Sequence, residues 1–171
     1  NVRVVASTEN YDARQRKTYV APDDYVGAEG ARVTRIPFSN WLPAKVAQKV
    51  KAYRGLNRIL KEFAPDAIMF HGISSLALIT VTRFAKANPN VILYADNHAD
   101  KNNSARSFWS YKFMHAFLFK RLIRYCLPNI RKILCISVDS IEFCRDVYQI
   151  PHKHLEFYPL GGNIFETDEY E

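Results

Sequence analysis

LKEFAPDAIMFHG (residues 60–72) and VILYADNHAD (residues 91–100) share one pattern: a short apolar run that stops at a polar, histidine-bearing cluster. A run that is apolar throughout, instead of alternating, is expected of a strand covered on both faces. Upstream, Val46, Val50, Tyr53, Leu56, Ile59, Leu60 and Phe63 recur at spacings of three and four. That periodicity predicts one long helix, opened by Pro43 and stopped by Pro65. Between the two apolar runs, residues 74–86 read as a helix. Downstream, residues 107–125 (SFWSYKFMHAFLFKRLIRY) form a strongly apolar, aromatic helical stretch, and residues 132–136 (KILCI) a strand. Ser137 is placed to cap a helix over residues 138–148, and residues 155–158 (LEFY) make a last short strand. Toward the start, residues 2–6 (VRVVA) and 31–37 (ARVTRIP) read as strands, the second at a sheet edge because a proline ends it. Residues 7–17 read as a polar loop and residues 19–30 as an irregular excursion. Strands alternating with helices predict a mostly parallel, Rossmann-like α/β sheet with helices on both faces.

The 171 residues suit one domain, at about 150 residues each. With 48% apolar and 24% charged residues, the composition is that of an ordinary globular chain. Three cysteines with no C-x-x-C pair argue against a disulfide framework and against a cysteine zinc site, and suit a reducing compartment. The longest uncharged stretch, residues 67–82, is 16 residues long and too polar to span a bilayer. No secretory signal peptide opens the sequence. The expected location is cytoplasmic, with peripheral attachment at the inner membrane face. The net charge of +7 is regional: residues 101–138 hold eight bases and no acid. Such a region attracts phosphate or anionic lipid. No nucleic-acid-binding motif accompanies it, so nucleic acid is not an expected partner.

In parallel sheets, ligands bind outside the carboxyl ends of the strands. His71-Gly72 and the loop at residues 96–106 stand there. Asp96, Asn97, His98, Asn103 and Arg106 offer donors and acceptors suited to sugar hydroxyls and phosphate. Gly72 permits a tight turn close to a ligand. A solvated loop explains the cluster as well, and a packed strand-end histidine explains His71. His71 and His98 with carboxylates lack any H-E-x-x-H-like spacing, so no metal is expected. His152 and His154 read as solvated. No G-x-S-x-G, G-x-x-x-x-G-K-[ST] or G-x-G-x-x-G motif is present, which weighs against serine hydrolases, P-loop nucleotidases and a complete dinucleotide-binding unit.

Four stretches, taken in order, resemble one family. VRVVAST is similar to a strand written G-H-x-V-x-V-x-T, and LKEFAPDAIMFHG to L-x-x-x-x-P-D-x-I-x-x-H. VILYADNHAD resembles the strand that leads into a His-containing loop. ILCISVDSIEFCRDVYQIPHKHLEFYPLGGN resembles a run that ends in P-N-G-x-D. The family is the GT-B glycosyltransferases of the family 4 kind. The resemblance implies a retaining transferase of two Rossmann-like domains, one receiving the acceptor and the other a nucleotide-sugar donor. It implies that residues 1–163 are part of the acceptor-side domain without its first strand. Residues 164–171 would then be an acidic tail or the start of a linker, and the chain would be inactive alone. It makes His98 the catalytic-site position that holds the donor sugar. Asn97, Asn103 and Arg106 are expected on the acceptor side, His71 and Gly72 at the cleft floor, and Asp96 among the substrate-binding residues. The acceptor is expected to be a glycan or lipid-linked glycan, with no cofactor. Pro159-Leu160-Gly161-Gly162-Asn163 departs from P-N-G-x-D at two side chains. Two other readings stand beside this one: a sugar-nucleotide-modifying Rossmann enzyme, and a non-enzymatic module using the basic helix on an anionic membrane or partner.

Overall fold

The computed structural model describes residues 1–100 and 110–159. Four strands, β6 (Ala67–Phe70), β7 (Ile92–Asn97), β8 (Ile133–Cys135) and β9 (Leu155–Phe157), form a fully parallel sheet in sequential order. A second sheet has the order β1 (Arg3–Ser7), β5 (Arg32–Ile36), β4 (Asp23–Val26), with β1 parallel and β4 antiparallel to β5. A small hairpin pairs β2 (Glu9–Tyr11) with β3 (Lys17–Tyr19). Helices α1 (Ala44–Lys49), α2 (Leu56–Phe63), α3 (Ala77–Ala87), α4 (Lys120–Cys126) and α5 (Val138–Asp146) flank the sheets, and π-helical residues Ser110–Phe119 lead into α4. The architecture is the α/β, Rossmann-like one that the alternation of strand and helix implies.

Several elements differ from the sequence reading. The stripe from Val46 to Phe63 is two helices. Lys51 (φ 52°) and Gly55 (φ 89°) both adopt left-handed backbone, which ends α1 and starts α2. Ala52 and Tyr53 between them turn back, and Tyr53 bridges to Phe38. Burial pushes the Tyr53 hydroxyl up to about 12. The stretches read as loop and excursion hold β2, β3 and β4. Their polar residues pair across strands, as in Lys17–Glu9 and Arg32–Asp24, instead of facing a core. Residues Arg32–Ile36 are central in their sheet, not at its edge. β6 is not covered on both faces: Ala67 and Met69, which share one face, are exposed, while Ile68 and Phe70 on the other are partly buried; it is also the edge strand, pairing with β7. Between β1 and β6 lies a cavity of about 320 Å³ lined by Val5, Ile36, Leu60, Ile68, Phe70 and Val81, with Lys51 and His71 also on its wall.

Behind the parallel sheet the core runs through Leu78, Leu93, Ile123, Ile133, Phe143 and Tyr148. Ser137 caps α5 as its position suggests, its side chain accepting the Ser140 N–H. Ser137→Ala is expected to cost about 1 kcal/mol of stability, read as a shift in the denaturant midpoint. Cys126, Cys135 and Cys144 are buried free thiols.

Candidate functional site

Phe70 ends β6 and Gly72 turns the chain with φ 78°. On the neighbouring strand, β7 carries Asp96 and Asn97, still in register with Leu134 and Cys135 of β8. The two polar clusters therefore meet at the carboxyl edge of neighbouring strands. Asp96 is the centre. It is 6% exposed, and its Oδ1 accepts the Gly72 N–H at 2.7 Å. Its Oδ2 accepts His71 Nδ1–H at 2.5 Å, and His98 Nε2 lies 3.2 Å from the same oxygen. One buried carboxylate thus orients two imidazoles from two strands, while both rings remain accessible to solvent. The backbone supports this corner: Ile73 N–H donates to the Asp96 carbonyl at 3.1 Å.

His71, Gly72, Asp96 and His98 come together. Asn97 does not join them at the surface: it is 1% exposed. Its amide donates to Ala99 O and Ser140 Oγ, both at 2.8 Å, and Ser140 Oγ–H donates back to Asn97 O. A buried polar side chain needs such partners. The expectation that Asn97 lines the acceptor side is corrected on that ground; its side chain ties the His98 turn to the first turn of α5. Asn103 and Arg106 lie outside the described residues, as do Gly161 and Gly162. His154 is half-buried, not simply solvated. Burial, with Lys153 and Lys132 nearby, lowers its pKa.

Two contributors were not singled out from sequence. Lys51 brings its Nζ to 3.6 Å from the point where a Cβ on Gly72 would stand. Its backbone carbonyl accepts from Ser75 Oγ and Ala77 N, so the left-handed turn after α1 is docked on the turn after β6. Tyr148 is fully buried, and its hydroxyl lies 2.6 Å from Ser74 Oγ and 2.7 Å from His115 Nδ1. Burial pushes that hydroxyl above the usual phenol range. The pair connects the turn after His71 to the helix at residues 110–126. A lone Tyr in a helical pattern gives no sequence signal for this.

His71, Asp96 and His98 present one ligand atom each, all within 4.8 Å of one another. Two imidazoles and a carboxylate are a donor set that a divalent cation can use. The spacing argument from sequence could not see this, because the ligands come from different strands. The same three groups also contact one another, His71 through a hydrogen bond to Asp96 and His98 through an ion-pair contact at 3.2 Å.

The structure is a Rossmann-like α/β domain whose histidine pair, oriented by Asp96, lies at the carboxyl edge of the parallel sheet, where such sheets bind ligands. The chain belongs to glycosyltransferase family 4: that family's model matches residues 1–163. No curated protein matches the chain.

Proposed function

We propose that this glycosyltransferase domain supplies the acceptor side of a cleft. There a sugar passes, with retention, from a nucleotide sugar to a glycan or lipid-linked acceptor. The observation that carries this is the pair of imidazoles fixed on Asp96 at the carboxyl edge of β6 and β7. His98 presents its ring to the donor sugar, and His71 with Gly72 forms the floor on which the acceptor hydroxyl rests. Orientation of an exposed polar ring by a buried carboxylate lowers the entropy cost of aligning it with a hydroxyl. Lys51 beside Gly72 adds a positive charge within reach of an anionic group on either substrate. The donor nucleotide is held by a domain outside these residues.

The division of labour is tested on the purified 171-residue chain. No nucleotide release is expected from any nucleotide sugar. Turnover by the chain alone, abolished by His98→Ala, would overturn it. In the enzyme that carries both domains, His98→Ala is expected to lower kcat by about 100-fold, the scale of one lost preorganised donor. An unchanged kcat would remove His98 from the site.

A further inference from the structure

Most charged groups on the N-terminal sheets are matched with opposite charge. Arg3 and Arg32 pair with Asp24, Arg16 with Asp12, and Lys17 with Glu9. Arg58 in α2 and Arg145 in α5 likewise have acid partners. A different surface lies where α1 meets the helix at residues 110–126. Ala47 and Val50 are buried there with Leu42, Met114 and Leu118 packed on them. The two elements that meet there carry Lys45, Lys49, Arg121 and Arg124, all exposed, with Lys120 half-buried. Among the described residues none of these five bases forms a salt bridge, and neither residues 41–51 nor residues 110–126 contain an acid.

The same elements, with Trp41 just ahead of α1, also expose large apolar side chains. Trp41 is 71% exposed, Phe117 58%, Tyr125 53% and Val46 43%. Phe117, Arg121, Arg124 and Tyr125 fall at i, i+4, i+7 and i+8, one stripe of a helix whose opposite side, Leu122, Ile123 and Cys126, is core. The Arg121 guanidinium lies over the Phe117 ring, 5.5 Å from its centroid, so cation and aromatic form one amphipathic unit. Among the described residues no helix is long and apolar enough to cross a membrane. The surface combines what lying on a bilayer requires: aromatic rings to enter the headgroup layer, and long basic side chains whose stems follow them while the charge stays outside.

We propose that the seam between α1 and residues 110–126 seats the protein on an anionic lipid bilayer, with Trp41 and Phe117 entering the interface and Lys45, Lys49, Lys120, Arg121 and Arg124 on the headgroups. Charge complementarity selects this occupant: five cations with no local acid attract a surface that is uniformly negative. The proposal is independent of the transfer chemistry, since none of these residues belongs to the Asp96 cluster.

The test is co-sedimentation of the 171-residue chain with vesicles of one-third phosphatidylglycerol in phosphatidylcholine, and with pure phosphatidylcholine. Binding is expected to the anionic vesicles only, and to weaken as salt is raised. Lys120→Gln/Arg121→Gln/Arg124→Gln together should weaken it roughly 100-fold, and Lys45→Gln/Lys49→Gln by roughly tenfold. Trp41→Ser/Phe117→Ser should leave low-salt attraction but lose binding at physiological salt. Far-UV circular dichroism checks that each variant is folded. Absence of binding by the parent, equal binding to neutral vesicles, or salt-independent binding would overturn the proposal without using any variant. Unchanged binding by the folded charge variants would overturn it as well. His98→Ala should bind vesicles as the parent does, so loss of transfer and loss of membrane contact are separable.

Discussion

Asp96→Asn is expected to leave the chain folded and to lower transfer activity of the enzyme carrying this domain by about 100-fold or more. The amide oxygen can still accept the Gly72 N–H, so the turn after β6 keeps its backbone anchor. The other end of the side chain changes from acceptor to donor. It faces His71 Nδ1 and His98 Nε2, which now meet an N–H where they met a carboxylate oxygen. Each ring answers by moving its proton to the far nitrogen or by turning away. Where a carboxylate fixes the tautomer of a catalytic imidazole that transfers protons, the amide costs about 10⁴ in rate. Rings that only hold sugar hydroxyls lose less, which sets the smaller figure. Nitrogen NMR of the two imidazoles reads the tautomer change directly. Unaltered ring signals together with unaltered activity would show that Asp96 does not govern this site. Asp96→Ala goes further: it strands the Gly72 N–H in a part-buried corner and should cost about 1–3 kcal/mol in stability besides.

Phe143→Ala is expected to be the most damaging change to stability, about 3–5 kcal/mol. Phe143 is fully buried, and its ring stands edge-on to Tyr148 at 5.2 Å and to His115 at 5.6 Å between centroids. Truncation opens a cavity against a hydrogen-bonded pair that cannot collapse into it without breaking the contacts of Tyr148 to Ser74 and His115. In a chain of this size each kcal/mol moves the melting temperature by roughly 2–4 °C, so a drop of roughly ten degrees is the expected reading. A shift under about 2 °C would mean that the packing of Phe143 against Tyr148 and His115 contributes little to stability.

The parallel sheet was legible in the sequence because its strands are short apolar runs with a polar stop. That pattern survives whatever packs on either side. The meeting of His71 with His98 was legible for the same reason: each follows such a run, and neighbouring strands in a parallel sheet end at one edge. The role of Asn97 was not legible. A polar residue after a strand reads as ligand-facing, and only the position of Ser140, far along the chain, shows that the amide points inward. The break after Lys51 was hidden by a stripe that continues in phase through it; Gly55 was the one local signal, and an isolated glycine in a helical pattern is tolerated often enough to pass. The strands at residues 9–11, 17–19 and 23–26 were missed because they are built on charged cross-strand pairs, which carry no hydrophobic alternation. Lys51 at the site was missed because its placement depends on that same break.

The register of β7 with β8 extends through Asp96 and Asn97, and the Asn97 amide is clamped to the start of α5. The histidine wall is therefore anchored in the ladder rather than carried on a lid. Whatever rearrangement accompanies a catalytic cycle, this wall is the stator against which other segments move. Amides from Leu93 to Asn97 should accordingly be among the last to exchange with deuterium, whether or not substrate is bound.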